Sequence, residues 1–154
     1  MKSLRLGFLI GILMLSTRCS SNKKDKLFIE SFITELNVES EYSFIEFKEK
    51  DYFIFSNPDS ADQIYEEDSF YTEVLIELKK KFKCKEEIEI LSLEESQVSY
   101  GFDENLNIDQ NSNYTPYIIY CENDMITRIL MSEGRIAALV TMSKGPKDKY
   151  FILL

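Results

Sequence analysis

The sequence predicts an α+β domain: two helices packed on a curved antiparallel sheet of about five to seven strands. Three observations carry this. Apolar residues recur at helical spacing in two segments before residue 84. From Glu86 onward they alternate at period two. Clusters of Asn, Pro, Gly and Asp punctuate the alternating runs. With 154 residues, 44% of them hydrophobic and 29% charged, the chain is long enough to bury one core and has a globular composition.

The first helix is expected over 27–37. Phe28, Phe32 and Leu36 fall on one face with Ile29 and Ile33 beside them, and Asp25 is placed to cap the N-terminus. Tyr42-Ser43-Phe44-Ile45-Glu46-Phe47 and Tyr52-Phe53-Ile54-Phe55 are rich in aromatic and β-branched residues. With Lys48-Glu49-Lys50-Asp51 between them, they predict a hairpin. Asn57-Pro58-Asp59 is a turn, and Ser60 with Gln63 fits a capping box that opens a longer helix within 61–83. Its buried stripe is Ile64, Tyr71, Leu75, Leu78 and Phe82, flanked by Val74. Asp62, Glu66, Glu67 and Asp68 come early and Lys79, Lys80, Lys81 and Lys83 late, which complements the helix macrodipole.

Strands follow. Glu87-Ile88-Glu89-Ile90 alternates as a half-buried strand does, and Val98, Tyr100 and Phe102 alternate next. Tyr117-Ile118-Ile119-Tyr120 is a third. Residues 125–131 and 135–142 make two more, joined at Ser132-Glu133-Gly134, with Ile136, Ala138, Val140 and Met142 on one face. Tyr150-Phe151-Ile152-Leu153 is the last. This order of helix, hairpin, helix and strands resembles cystatin-like and nuclear-transport-factor-2-like rolls. The resemblance implies a sheet curled round a helix, with an apolar pocket at its mouth.

The N-terminus reads as a secretory signal peptide. Lys2 and Arg5 form a basic start, and Leu6 to Leu15 is an apolar run of ten, too short for a spanning helix of about 20 residues. Ser16-Thr17-Arg18-Cys19 follows, and then the polar run Ser20-Ser21-Asn22-Lys23-Lys24-Asp25-Lys26. This stretch, about the first 26 residues, resembles the bacterial lipoprotein signal. Arg18 stands where that family usually carries Gly, Ala or Ser. The resemblance implies that residues 1–18 are a signal peptide and that Cys19 is acylated and becomes the first mature residue. It implies too that 19–26 is a polar tether to a single α+β domain over 27–154. The expected location is the bacterial cell envelope, membrane-anchored through the N-terminal lipid and facing outside the cytoplasm.

With Cys19 lipidated, Cys84 and Cys121 are left as an even pair. In an oxidising envelope they can form a disulfide; the alternative is two buried thiols acting as small hydrophobes. The net charge is −9, and the first 18 residues hold three basic side chains and no acid, so the remainder is three charges more negative. Such a surface repels phosphate backbones, and no nucleic-acid partner is expected. There is no histidine, which excludes Ser-His-Asp and Cys-His catalysis and imidazole metal ligation.

Oxygen-bearing side chains recur at alternate positions from Asp103 to Asn113. Asp103, Asn105, Asn107 and Asp109 make a candidate calcium set, since calcium takes about six to eight oxygens. Ile108 stands where an EF-hand needs glycine and Tyr114 where it needs glutamate, so this is not an EF-hand. The alternative is a polar loop between strands. Carboxylate pairs at Glu66-Glu67-Asp68, Glu86-Glu87 and Glu94-Glu95 could in principle run glycoside hydrolysis. No catalytic residue and no cofactor are expected. The first expectation is a lipid-anchored, non-catalytic domain that binds a protein or small-molecule partner. The alternative is a pocket-bearing roll acting as a ligand-binding protein or a carboxylate-based enzyme. A buried carboxylate facing a cavity discriminates between the two.

Overall fold

The computed structural model describes residues 22–38, 44–55, 64–84, 87–108 and 113–154. The fold is α+β, as the sequence predicts. Helix α1 runs over 22–38. It is followed by α2 (Phe44–Glu49), α3 (Ile64–Lys81), β1 (Glu89–Ser92), α4 (Leu93–Tyr100), β2 (Asn105–Asn107) and β3 (Tyr114–Cys121). The chain ends with β4 (Asp124–Ser132), β5 (Arg135–Ala138), β6 (Val140–Ser143) and β7 (Asp148–Ile152).

The strands make two sheets rather than one. Four form the order β1-β3-β4-β5, and three form β2-β7-β6. Among the described residues the ladders are antiparallel except β2 with β7, and the isolated Phe53–Ile136 bridge is parallel. Residues Glu122 and Asn123 between β3 and β4, and Glu133 and Gly134 between β4 and β5, all have positive φ. Two consecutive positive-φ residues are what a type I′ turn needs to match strand twist, so these turns lock the β3–β4–β5 meander.

Helices α1, α2 and α3 pack on one face of the four-stranded sheet. Ile29, Phe32 and Leu36 from α1, Phe44 and Phe47 from α2, and Leu75, Leu78 and Phe82 from α3 meet Ile90, Tyr117, Ile119, Ile129 and Met131 from the strands. Aromatic edges and faces interlock there: Phe32 meets Phe47 edge-on at 5.7 Å, and Phe44 stacks on Tyr71 at 4.8 Å. Ile118, Leu130 and Ala138, which alternate with those strand residues, are buried as well. Arg128 shares their face and ion-pairs with Glu104, while Lys149 of β7 lies 3.9 Å from the same carboxylate. The β2 and β7 strands are therefore tied to the side away from α1–α3, while β6 reaches the core through Val140.

Several expectations are corrected. The segment predicted as the first hairpin strand is helix α2, because Phe44 and Phe47, three apart, bury on one turn and the Phe44 N–H donates to Thr72 Oγ1 at 3.0 Å. Among the described residues the second arm makes one bridge, Phe53 to Ile136. Val98 and Tyr100 lie in α4, not in a strand. Ser92 and Glu95 close a reciprocal capping box at its start, and Gly101 ends it in the left-handed region at φ 65°. The 135–142 strand breaks at Leu139 into β5 and β6, which belong to different sheets. Residues 22–26 of the expected tether are helical, part of α1. Cys19, the Ser60–Gln63 cap and Asp109 lie outside the described residues.

Candidate functional site

Asp25 is not a cap. It sits on the stripe of α1 that continues as Ile29, Phe32 and Leu36, and it is 7% exposed. A carboxylate at such a position must be hydrogen-bonded. Tyr117, fully buried on β3, supplies the bond: its hydroxyl donates to Asp25 Oδ2 at 3.1 Å and lies 3.4 Å from Asn22 Oδ1. Burial first, then the neighbouring Asp25 charge and bond, hold the Tyr117 phenol protonated well above its ordinary range.

Asp25 also lines a cleft of about 370 Å³ between the start of α1 and the β4–β5 turn. Lys24, Thr115, Ser132 and Glu133 share its walls. The cleft therefore offers a buried carboxylate at its base, hydroxyls on its sides, and one ammonium and one further carboxylate. That inventory suits a small polar ligand with a donor or positive group directed at Asp25.

Helix α4 braces this end. Lys26 Nζ bonds both oxygens of Glu95, at 2.9 and 2.8 Å, linking α1 to the α4 cap. Burial pushes the Glu95 carboxyl up, but the bonds from Lys26 and Ser92 outweigh it and hold it below the usual range. Ser96, fully buried, bonds the Tyr120 hydroxyl at 2.6 Å, and Tyr100 stacks on the Tyr120 ring at 4.1 Å.

The residues singled out from the sequence are dispersed. Cys84, just past α3, is joined by a disulfide to Cys121 at the end of β3, with Cα atoms 6.1 Å apart. Asp103 pairs with Lys147. Asn105 and Asn107 lie on strand β2, where Asn105 Nδ2 donates to Asp148 Oδ1 at 3.1 Å and Asn107 Nδ2 reaches the Asn105 and Lys149 carbonyls at 3.4 Å. These three side chains thus join β2 to the β7 region, and Asp109 is not described. Among the described residues no group of three or more Cys, Asp or Glu is placed to hold a metal ion. Of the expected carboxylate pairs, Glu87 and Glu94 are exposed and Glu95 is bound in the cap.

Sequence reasoning missed Asp25 as a site residue. The signal was present: an acid stands on the apolar stripe one turn before Ile29. No family model matches the chain, and neither a curated protein nor a solved structure does.

Proposed function

We propose that the chain is a lipid-anchored protein of the bacterial cell envelope whose folded body is a non-catalytic binding domain. The observation that carries this is the leader: a basic start, ten apolar residues and Cys19 followed by a polar run. Among the described residues no helix is long and apolar enough to cross a membrane; this reading assigns attachment to an acyl chain on Cys19. Asn22, three positions beyond Cys19, is already helical, so at most about 10 Å of chain separates the acylated residue from the helical body. Lys23 and Lys24 are exposed there, and each lysine near an anionic headgroup layer adds roughly 1 kcal/mol of attraction. The Asp25 cleft then opens at the membrane-near end.

Membrane fractionation tests the anchor. The native chain is expected in the membrane pellet, extractable by detergent, and Cys19→Ala in the supernatant or retained as the longer precursor. Equal partitioning of native and variant chains, at equal mass, would defeat this reading.

The buried Asp25 supports a second reading, a small-ligand receptor. Isothermal titration with small cationic amines tests it: Asp25→Asn is expected to abolish any heat the native chain gives, and no heat from the native chain ends it.

A further inference from the structure

Strand β4 is paired with β3 along its whole length, from Asp124 to Ser132. On its other edge only Leu130 to Ser132 are paired, to β5. The chain leaves that edge at Leu139, and β6 pairs with β7 alone. Among the described residues, the outer edges of β4 at Ile126–Arg128 and of β6 at Val140–Ser143 therefore carry no ladder partner. Backbone groups on an open strand edge are a template for another extended chain.

Both edges border one groove. It encloses about 370 Å³ and is roofed by α3. Phe70, Val74 and Leu78 line it from the helix, and Ile126, Leu139 and Val140 from the strands. Phe70 is 47% exposed and Met142, next on the Val140 face of β6, is 52% exposed, so the apolar strip continues past the groove mouth. Its rim carries two acids and two bases, Glu73 and Glu77 with Lys81 and Arg128. Arg128 is engaged by Glu104 and Glu77 by Lys80. Glu73 is exposed on the rim and has no ion pair among the described residues.

We propose that this groove binds an extended segment of a partner protein as an added β-strand. The segment has apolar side chains at alternate positions and a lysine or arginine at the end that meets Glu73. Open edges favour extended backbone over a helix or a small molecule. Charge favours a basic partner over a second copy, because each copy carries −9. At about 3.3 Å per residue, roughly five residues fill the paired length. The inference deepens the reading of the body as a binding domain and stands whether or not Cys19 is acylated.

The test uses the purified full chain in detergent and a fluorescent seven-residue peptide, Lys-Val-Thr-Val-Thr-Val-Lys, beside the same peptide N-methylated at alternate amides. The unmodified peptide is expected to bind saturably and to slow amide exchange at 126–128 and 140–143. N-methylation removes edge hydrogen bonds but keeps the side chains, and is expected to weaken binding about tenfold. Phe70→Glu, at an exposed position, is expected to weaken it by a similar factor. Glu73→Lys is expected to weaken it several-fold and to flatten its salt dependence. Three results overturn the proposal: no saturable binding, equal binding of the N-methylated peptide, or a native chain that dimerises through this face and is made monomeric by Phe70→Glu. Loss of membrane fractionation in Cys19→Ala leaves these measurements unchanged, so the two readings fail separately.

Discussion

The Tyr117 hydroxyl meets Asp25 Oδ2 at 3.1 Å, joining the middle of the sheet to the first turns of α1 through two side chains that are both out of water. Replacing the donor leaves a buried carboxylate short of a partner. Tyr117→Phe is expected to cost about 2 kcal/mol, read as a lower urea midpoint at unchanged slope.

The same pair sets an alkaline limit. The folded state raises the Tyr117 pKa, so the unfolded chain gives up this proton first, near pH 10. The stability the proton confers is complete below about pH 10 and is lost as pH rises beyond it. Tyr52 shifts the same way, by burial and then by its bond to Glu35. The native chain is expected to lose stability progressively as pH rises above about 10, and Tyr117→Phe to lose less over that interval. Equal slopes for the two chains would show that Tyr117 is not the group responsible.

Much of this was readable in the sequence, and the failures have physical causes. The α3 stripe of Tyr71, Leu75, Leu78 and Phe82 was legible because all four bury at helical spacing. Helix α4 was not, because Val98, Tyr100 and Phe102 alternate as a strand would. Val98 is 83% exposed, so its side chain carries no core signal, and the decisive cue was the Ser92–Glu95 cap. The aromatic and β-branched content of 42–47 pointed to a strand, whereas Phe44 and Phe47, three apart, share a face only in a helix, and Tyr71 and Phe53 pack around Phe44 there. Nothing in Ala138-Leu139-Val140 marks the passage from one sheet to the other; that break depends on tertiary pairing. Asp25 was legible as a residue and misread in role, since an acid just before an apolar run fits a cap as well as a core partner.

The disulfide closes a loop of 37 residues between α3 and β3. In the chain-entropy model that restrains the unfolded chain by roughly 3–4 kcal/mol. Denaturant melts with and without reductant are expected to differ by this amount. A Cys84→Ala/Cys121→Ala chain should melt like the reduced native chain and be insensitive to reductant.

Arg128 and Glu104 join the two sheets from side chains that are 13% and 18% exposed. Arg128→Met keeps the apolar stem and leaves Glu104 with only Lys149, 3.9 Å away. The expected cost is about 2–3 kcal/mol, with part of it recovered in the Arg128→Met/Glu104→Gln double variant. A double variant no more stable than the sum of the two single changes would deny the coupling.

Ser92→Ala removes the side-chain half of the α4 capping box, which accepts the Glu95 N–H at 3.3 Å. A loss of about 1 kcal/mol is expected. Circular dichroism should report little change in total helix, because the Lys26–Glu95 bond still holds the α4 start.

In the proposed function, Cys19 carries the anchor. Metabolic labelling with an alkyne fatty acid, read by mass and gel fluorescence, tests it most directly. Label on the native chain at a mass lacking residues 1–18, with none on Cys19→Ala, is the expected result. Absence of label from both chains would contradict the account and leave the body to act without a lipid.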